Sequence, residues 1–126
     1  MKNDSVYLRH ILESIRRIEE DTCEGREKFH AVHTLQDAVL RNLQTLSESA
    51  KRISDPLKTS HPEIEWRRIA AFRNILFHDY LGIDLDQVWQ IVQHDVPQLK
   101  RAVAALLELA ENEALKGKDS DGDIDR

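Results

Sequence analysis

The sequence predicts an all-α fold of four to five helices around one hydrophobic core, and three observations carry that expectation. Hydrophobic residues make up 40% and charged residues 33% of the chain, with only four glycines and three prolines in 126 residues, a balance that suits a helical protein better than a sheet or a disordered segment. Apolar residues recur at three- and four-residue spacing along most of the length, the period of helices with one buried face. Capping and stopping residues fall between those stripes rather than inside them.

The first helix is predicted from about Ser5 to Thr22, with Leu8, Ile11, Leu12, Ile15 and Ile18 on one face and Asp4 or Ser5 as its cap. After Cys23-Glu24-Gly25, a single long second helix is predicted to reach about Ile53. Phe29, Val32, Leu35, Val39, Leu43, Leu46, Ala50 and Ile53 repeat there with helical period, and Leu40 widens the stripe. Ser54-Asp55-Pro56 ends it, because proline lacks the donor for continuation and restricts the residue before it. A connector through Thr59-Ser60-His61-Pro62 leads to a third helix from about Glu65 to Leu81, with Gly82 placed to terminate it. Asp84-Leu85-Asp86-Gln87 has the spacing of a capping box, opening a short fourth helix on Val88, Ile91 and Val92. Asp95-Val96-Pro97-Gln98 repeats that pattern and predicts a fresh start for a fifth helix on Leu99, Val103, Leu106, Leu107 and Ala110, its stripe fading near Leu115.

This length fits one domain, expected over residues 1–116. Residues 117–126 are expected to form an acidic flexible tail: four aspartates against Lys118 and Arg126 put −2 on it and leave −3 of the net −5 on the body. Its alternating aspartates lack the loop length, terminal glutamate and flanking helix of an EF-hand, so no calcium site is expected. Cys23 is the lone cysteine, which excludes an internal disulfide or a paired-cysteine metal site. The N-terminal helix carries Arg9, Glu13, Arg16 and Arg17, unlike a signal peptide, and no stretch approaches a membrane span. A cytoplasmic location is the expectation. The negative charge argues against nucleic-acid binding over the whole surface. Locally the balance reverses, because residues 66–78 contain Arg67, Arg68 and Arg73 and no acid.

Within that basic stretch, Arg73-Asn74-Ile75-Leu76-Phe77-His78-Asp79-Tyr80 gathers a fixed cation, an amide, an imidazole and a phenol into eight residues. The form Arg-Asn-three residues-His-any-Tyr resembles the signature of the HEPN superfamily, specifically the HepT toxins of HEPN/MNT toxin–antitoxin pairs. The likeness extends over roughly Val6 to Leu107. It includes Pro62-Glu63-Ile64-Glu65-Trp66, Ala38-Val39-Leu40-Arg41, and Val88-Trp89 followed by Asp95-Val96-Pro97-Gln98-Leu99. Ser47-Glu48-Ser49-Ala50 departs from the family's usual Gly-Glu-Ala while keeping Glu48.

The resemblance implies a metal-independent endoribonuclease without a cofactor, an RNA substrate and a homodimer whose signature helices meet at a shared cleft. Histidine titrates near neutral pH, which suits His78 as general acid or base. Arginine keeps its charge and matches phosphate oxygens, which suits Arg73 to the scissile phosphate. On a helix, Asn74 and His78 share a face whereas Arg73 lies about 140° away. Either the arginine stem curls around or two copies share the cleft, and the resemblance implies the second. Asn74 and Asp79 are supporting residues, while Arg67 and Arg68 are candidate contacts to backbone phosphates. In HepT-like proteins the residue matching Tyr80 accepts AMP from an MNT-type nucleotidyltransferase, so the resemblance implies that partner and that modification as an off-switch. The rival expectation is a non-catalytic HEPN module that binds a nucleotidyltransferase or its substrate; a plain helical interaction domain would leave the polar signature unexplained. His30 and His33 lack a third ligand nearby, and Trp66 and Trp89 read as packing anchors rather than base-stacking platforms.

Overall fold

The computed structural model describes the backbone of residues 2–77 and 84–124 and the side chains of residues 4–74 and 84–115. Among the described residues it is helical throughout, with no strand: α1 (Lys2–Thr22), α2 (Arg26–Ala31), α3 (His33–Lys51), α4 (Asp55–Ser60), α5 (Trp66–Phe77), α6 (Leu85–Gln90), a π-helical turn (Ile91–Asp95) and α7 (Val96–Ile124). No described helix is long and apolar enough to cross a membrane.

Helix α1 packs on both α3 and α7, and α5 packs on α3. Both pairings of α1 are antiparallel. Asp4 at the start of α1 meets Ser54 just beyond α3, while Arg9 reaches Glu111 and Glu19 reaches Lys100 along α7. The predicted stripe of α1 forms the centre of the core: Leu8, Ile11, Ile15 and Ile18 are each at most 1% exposed. Val39, Leu43, Leu46, Ala50 and Ile53 face them, and Val88, Val96, Val103 and Leu106 close the other side. Burial on this scale is the main favourable term in folding.

Three expected helix boundaries are corrected. The single second helix breaks at Val32, whose backbone is extended (φ −116°, ψ 107°). Gln36 explains how the break is tolerated, since its side-chain amide donates to the carbonyls of Phe29 (3.0 Å) and His30 (3.1 Å), groups that an uninterrupted helix would pair with its own backbone. The stop at Ser54-Asp55-Pro56 is real, but it also starts α4: Ser54 caps it by accepting from the Leu57 N–H, and Pro56 occupies the first turn. Finally, the fresh start predicted at Asp95 does not occur. Gln90, Ile91 and Val96 all keep helical angles, so α6, the π turn and α7 run on as one rod. The Val96 N–H donates to the Ile91 carbonyl five residues back, and this wider turn lies immediately before Pro97, where the ordinary ladder loses a donor.

Asp4 is likewise not a cap for its own helix. It lies inside the first turn of α1, buried, and accepts from the Ser54 N–H (2.8 Å) and the Ser54 hydroxyl (2.7 Å). The backbone of α7 continues to Ile124, beyond the predicted fading near Leu115.

Candidate functional site

Helix α5 is set by residues at its start and along its inner face. Ile64, Ile69 and Phe72 are buried. The indole N–H of Trp66 donates to the His61 carbonyl (3.1 Å), and the His61 ring meets the Glu63 carboxylate at 2.9 Å, fixing the approach to the helix. At about 100° per residue, burying Ile69 and Phe72 turns Arg67, Ala70, Ala71 and Asn74 outward, and all four are exposed, as is Arg73. Asn74 therefore lies on an outer face of α5 that carries no acid and whose small residues leave room for close approach, while Arg73 is exposed at its flank.

Arg68 is held differently from Arg67. Its guanidinium makes a two-pronged ion pair with Asp95 of the π turn, at 2.7 and 3.0 Å, with the Asp95 side chain only 16% exposed. That hydrogen bond raises the Arg68 pKa above its ordinary value. The pair joins α5 to the π turn and offsets the Arg68 charge, so a phosphate there would compete with an existing carboxylate.

Between α5 and the α6–π segment lies a groove of about 670 Å³. Arg68, Ala71 and Asn74 line one side, Gln87, Gln90, His94 and Asp95 the other, and Phe72 and Ile91 contribute apolar surface. Sequence reading identified Asn74 and Arg68 but not the opposite wall. Gln87, Gln90 and His94 recur at three- and four-residue spacing on the face opposite Val88 and Val92, and that polar stripe was the available signal.

His78, Asp79 and Tyr80 lie outside the described residues, so Arg73 and Asn74 are the signature residues whose positions can be stated. The other sequence candidates are engaged in structure. His30 contacts Asp86 at 3.0 Å and the Arg26 carbonyl at 2.9 Å; Trp89 packs against buried Phe29 with ring centroids 5.5 Å apart. Among the described residues no group of three or more histidine, cysteine, aspartate or glutamate side chains could hold a metal ion.

Comparison with known proteins places this geometry in context. The family model described as "Ribonuclease HepT-like" matches residues 11–106. A Methanocaldococcus jannaschii protein named "Gamma-glutamylcyclotransferase and putative RNase" is 37% identical over 108 residues, covering 85% of this chain and 49% of the relative. The chain thus spans about half the length of that relative. The "Probable ribonuclease HepT" of Thermococcus cleftensis is 42% identical over 95 residues, covering 75% of this chain and 86% of the relative. A further M. jannaschii protein named "Putative RNase" is 34% identical over 98 residues, covering 77% and 90% respectively. No solved structure matches.

Proposed function

The chain belongs to the ribonuclease HepT-like family, and from that premise we propose that it is a metal-independent endoribonuclease acting as a homodimer. The observation that carries this reading is that Arg67, Arg73 and Asn74 are all exposed on α5, a helix without an acid. In the proposed reaction the RNA 2′-oxygen attacks the neighbouring phosphorus. The O2′–P bond forms as the P–O5′ bond breaks, one proton leaves the 2′-hydroxyl and one reaches the departing 5′-oxygen. His78 moves a proton and Arg73 binds the phosphate whose charge grows in the transition state. Asn74 orients one of these two groups, and Asp79 tunes His78.

A second copy supplies what one helix lacks. On an ideal continuous helix, positions five residues apart such as 73 and 78 would stand about 140° apart around the axis, whereas two copies of the signature meeting face to face would bring one copy's arginine toward the other's histidine. Arg67 contributes to the shared field, and Arg68 joins it to the extent that Asp95 releases it. In this reading the chain is the toxin of a toxin–antitoxin pair, and a nucleotidyltransferase silences it by adding AMP to Tyr80. The added phosphate and base would obstruct the RNA path by charge and bulk.

The test is incubation of the purified chain with mixed cellular RNA in excess EDTA, followed by mapping of the new ends. Wild type should leave 2′,3′-cyclic phosphate and 5′-hydroxyl ends, and His78→Ala should lose cleavage by at least ~100-fold, the low end of a general acid–base contribution. Tyr80→Phe should escape AMP addition, read by intact mass after co-expression with a nucleotidyltransferase. No cleavage by an unmodified, folded wild-type dimer would favour the non-catalytic binding module, and adenylylated Tyr80→Phe would move the acceptor elsewhere.

A further inference from the structure

We infer that the groove between α5 and the α6–π segment is a nucleobase subsite, selective for adenine, that receives one unstacked base of a single-stranded RNA substrate. The inference rests on the ribonuclease reading and adds to it a specificity site built from residues outside the signature.

Four features favour a base over a phosphate. The volume, about 670 Å³, falls within the ~300–1,000 Å³ typical of small-ligand pockets. Its floor is formed by Ala71 and by the edges of Phe72 and Ile91, which are otherwise buried, 3% and 4% exposed, and so fix that floor in the core. Gln87, Gln90 and His94 line one wall as a polar stripe and supply amide and imidazole groups that could meet a base edge. The charge is already balanced, because Asp95 takes both prongs of the Arg68 guanidinium. A groove of amides and an imidazole over an apolar floor suits a base, whereas the exposed Arg67 suits a phosphate of the same strand.

The amide chemistry favours adenine when the base is read on its N6–N7 edge. A carboxamide presents a donor and an acceptor side by side, matching the N6 donor and N7 acceptor of adenine. Asn74 lines this groove from the signature helix, next in sequence to Arg73, so a base seated here would belong to the same strand as the phosphate that Arg73 would hold. The π turn contributes by geometry: its extra residue keeps His94 and Asp95 at the groove while Val92 and Val96 remain buried.

The experiment measures binding rather than cleavage, so its failure is separable from that of the ribonuclease reading. Fluorescently labelled seven-nucleotide homopolymers of A, C, G and U, 2′-O-methylated so that they lack the attacking hydroxyl, are titrated against the full chain by anisotropy. Wild type should bind the A oligomer about tenfold more tightly than the others, the scale of one good bidentate base contact. Gln87→Ala/Gln90→Ala should bring the four affinities to within about twofold, and Gln90→Glu, which can only accept, should shift preference toward C. Both changed positions are exposed, and circular dichroism confirms that each variant is folded. A wild-type chain that binds all four alike, prefers another base or binds none overturns the inference, as does an adenine preference that survives the double substitution. Cleavage of ordinary RNA by the same preparation reports on the ribonuclease reading alone.

Discussion

Asp4 illustrates how a single side chain ties distant parts of this protein together. Its two carboxylate oxygens accept from the backbone and hydroxyl of Ser54, and Ser54 in turn accepts from the Leu57 N–H at the start of α4. Asp4 is 7% exposed, and removing it leaves the part-buried N–H and hydroxyl of Ser54 without their acceptor. Asp4→Ala should cost about 1–3 kcal/mol of stability, and Ser54→Ala about 1 kcal/mol as a lost cap. Because both act through one chain of hydrogen bonds, the double variant should cost clearly less than their sum. Urea unfolding of the three variants reads this; strict additivity would mean that the two residues act separately. The local sequence marks Asp4 as a helix cap because it precedes an apolar stripe, and nothing local reveals a partner 50 residues away. Arg68 teaches the same lesson at the site: residue type and neighbours make it a phosphate contact, while its observed partner, Asp95, is 27 residues away.

Helix boundaries show which local signals prevail. The apolar stripe through Phe29, Val39, Leu43 and Leu46 was legible and is buried, yet α2 and α3 are separate because Gln36 replaces the backbone donors across Val32. Pro97 predicts a fresh start, but burial of Val88, Val92, Val96 and Leu99 on one side keeps the rod continuous through a π turn. Surface charge along the elements also sets the acid response. Arg16, and secondarily Arg17, hold the Glu13 carboxyl down at about 2 from 4.5, while Arg26 and then His30 lower that of Asp86, joining α2 to α6. A carboxyl depressed in the folded state contributes stability above its unfolded value and loses it as pH falls toward its folded value. Asp21 works in the opposite sense, its pKa raised first by burial and then by Glu20. Between pH 4.5 and about 2 the thermal midpoint should therefore decline in wild type and decline less in Glu13→Gln. The effect should be small and should shrink with added salt, since these groups are exposed. Midpoints followed by circular dichroism decide it; an equally steep decline in the variant would exclude Glu13 as a contributor.

Considered whole, the described bundle buries one continuous core and leaves the outer face of α5 uncovered, with Arg67, Ala70, Ala71 and Asn74 exposed side by side. If a second copy covers that face, Ala70→Arg adds bulk and like charge where two helices approach. The variant should sediment as a monomer and lose RNA cleavage while keeping its helical signal; a monomeric wild type, or a variant that stays dimeric, would exclude this arrangement. The sequence alone determined that the chain is helical, which residues form the core stripes, and that its polar signature resembles HepT proteins, because helical period and motif spacing are local properties. The tertiary structure decided where helices break or merge, that Asp4 serves a different helix from its own, that Asp95 engages Arg68, and that Gln87, Gln90 and His94 face Asn74 across a groove. Those outcomes depend on which hydrogen-bonding and apolar groups packing brings together from distant parts of the chain, information that no local window of residues contains.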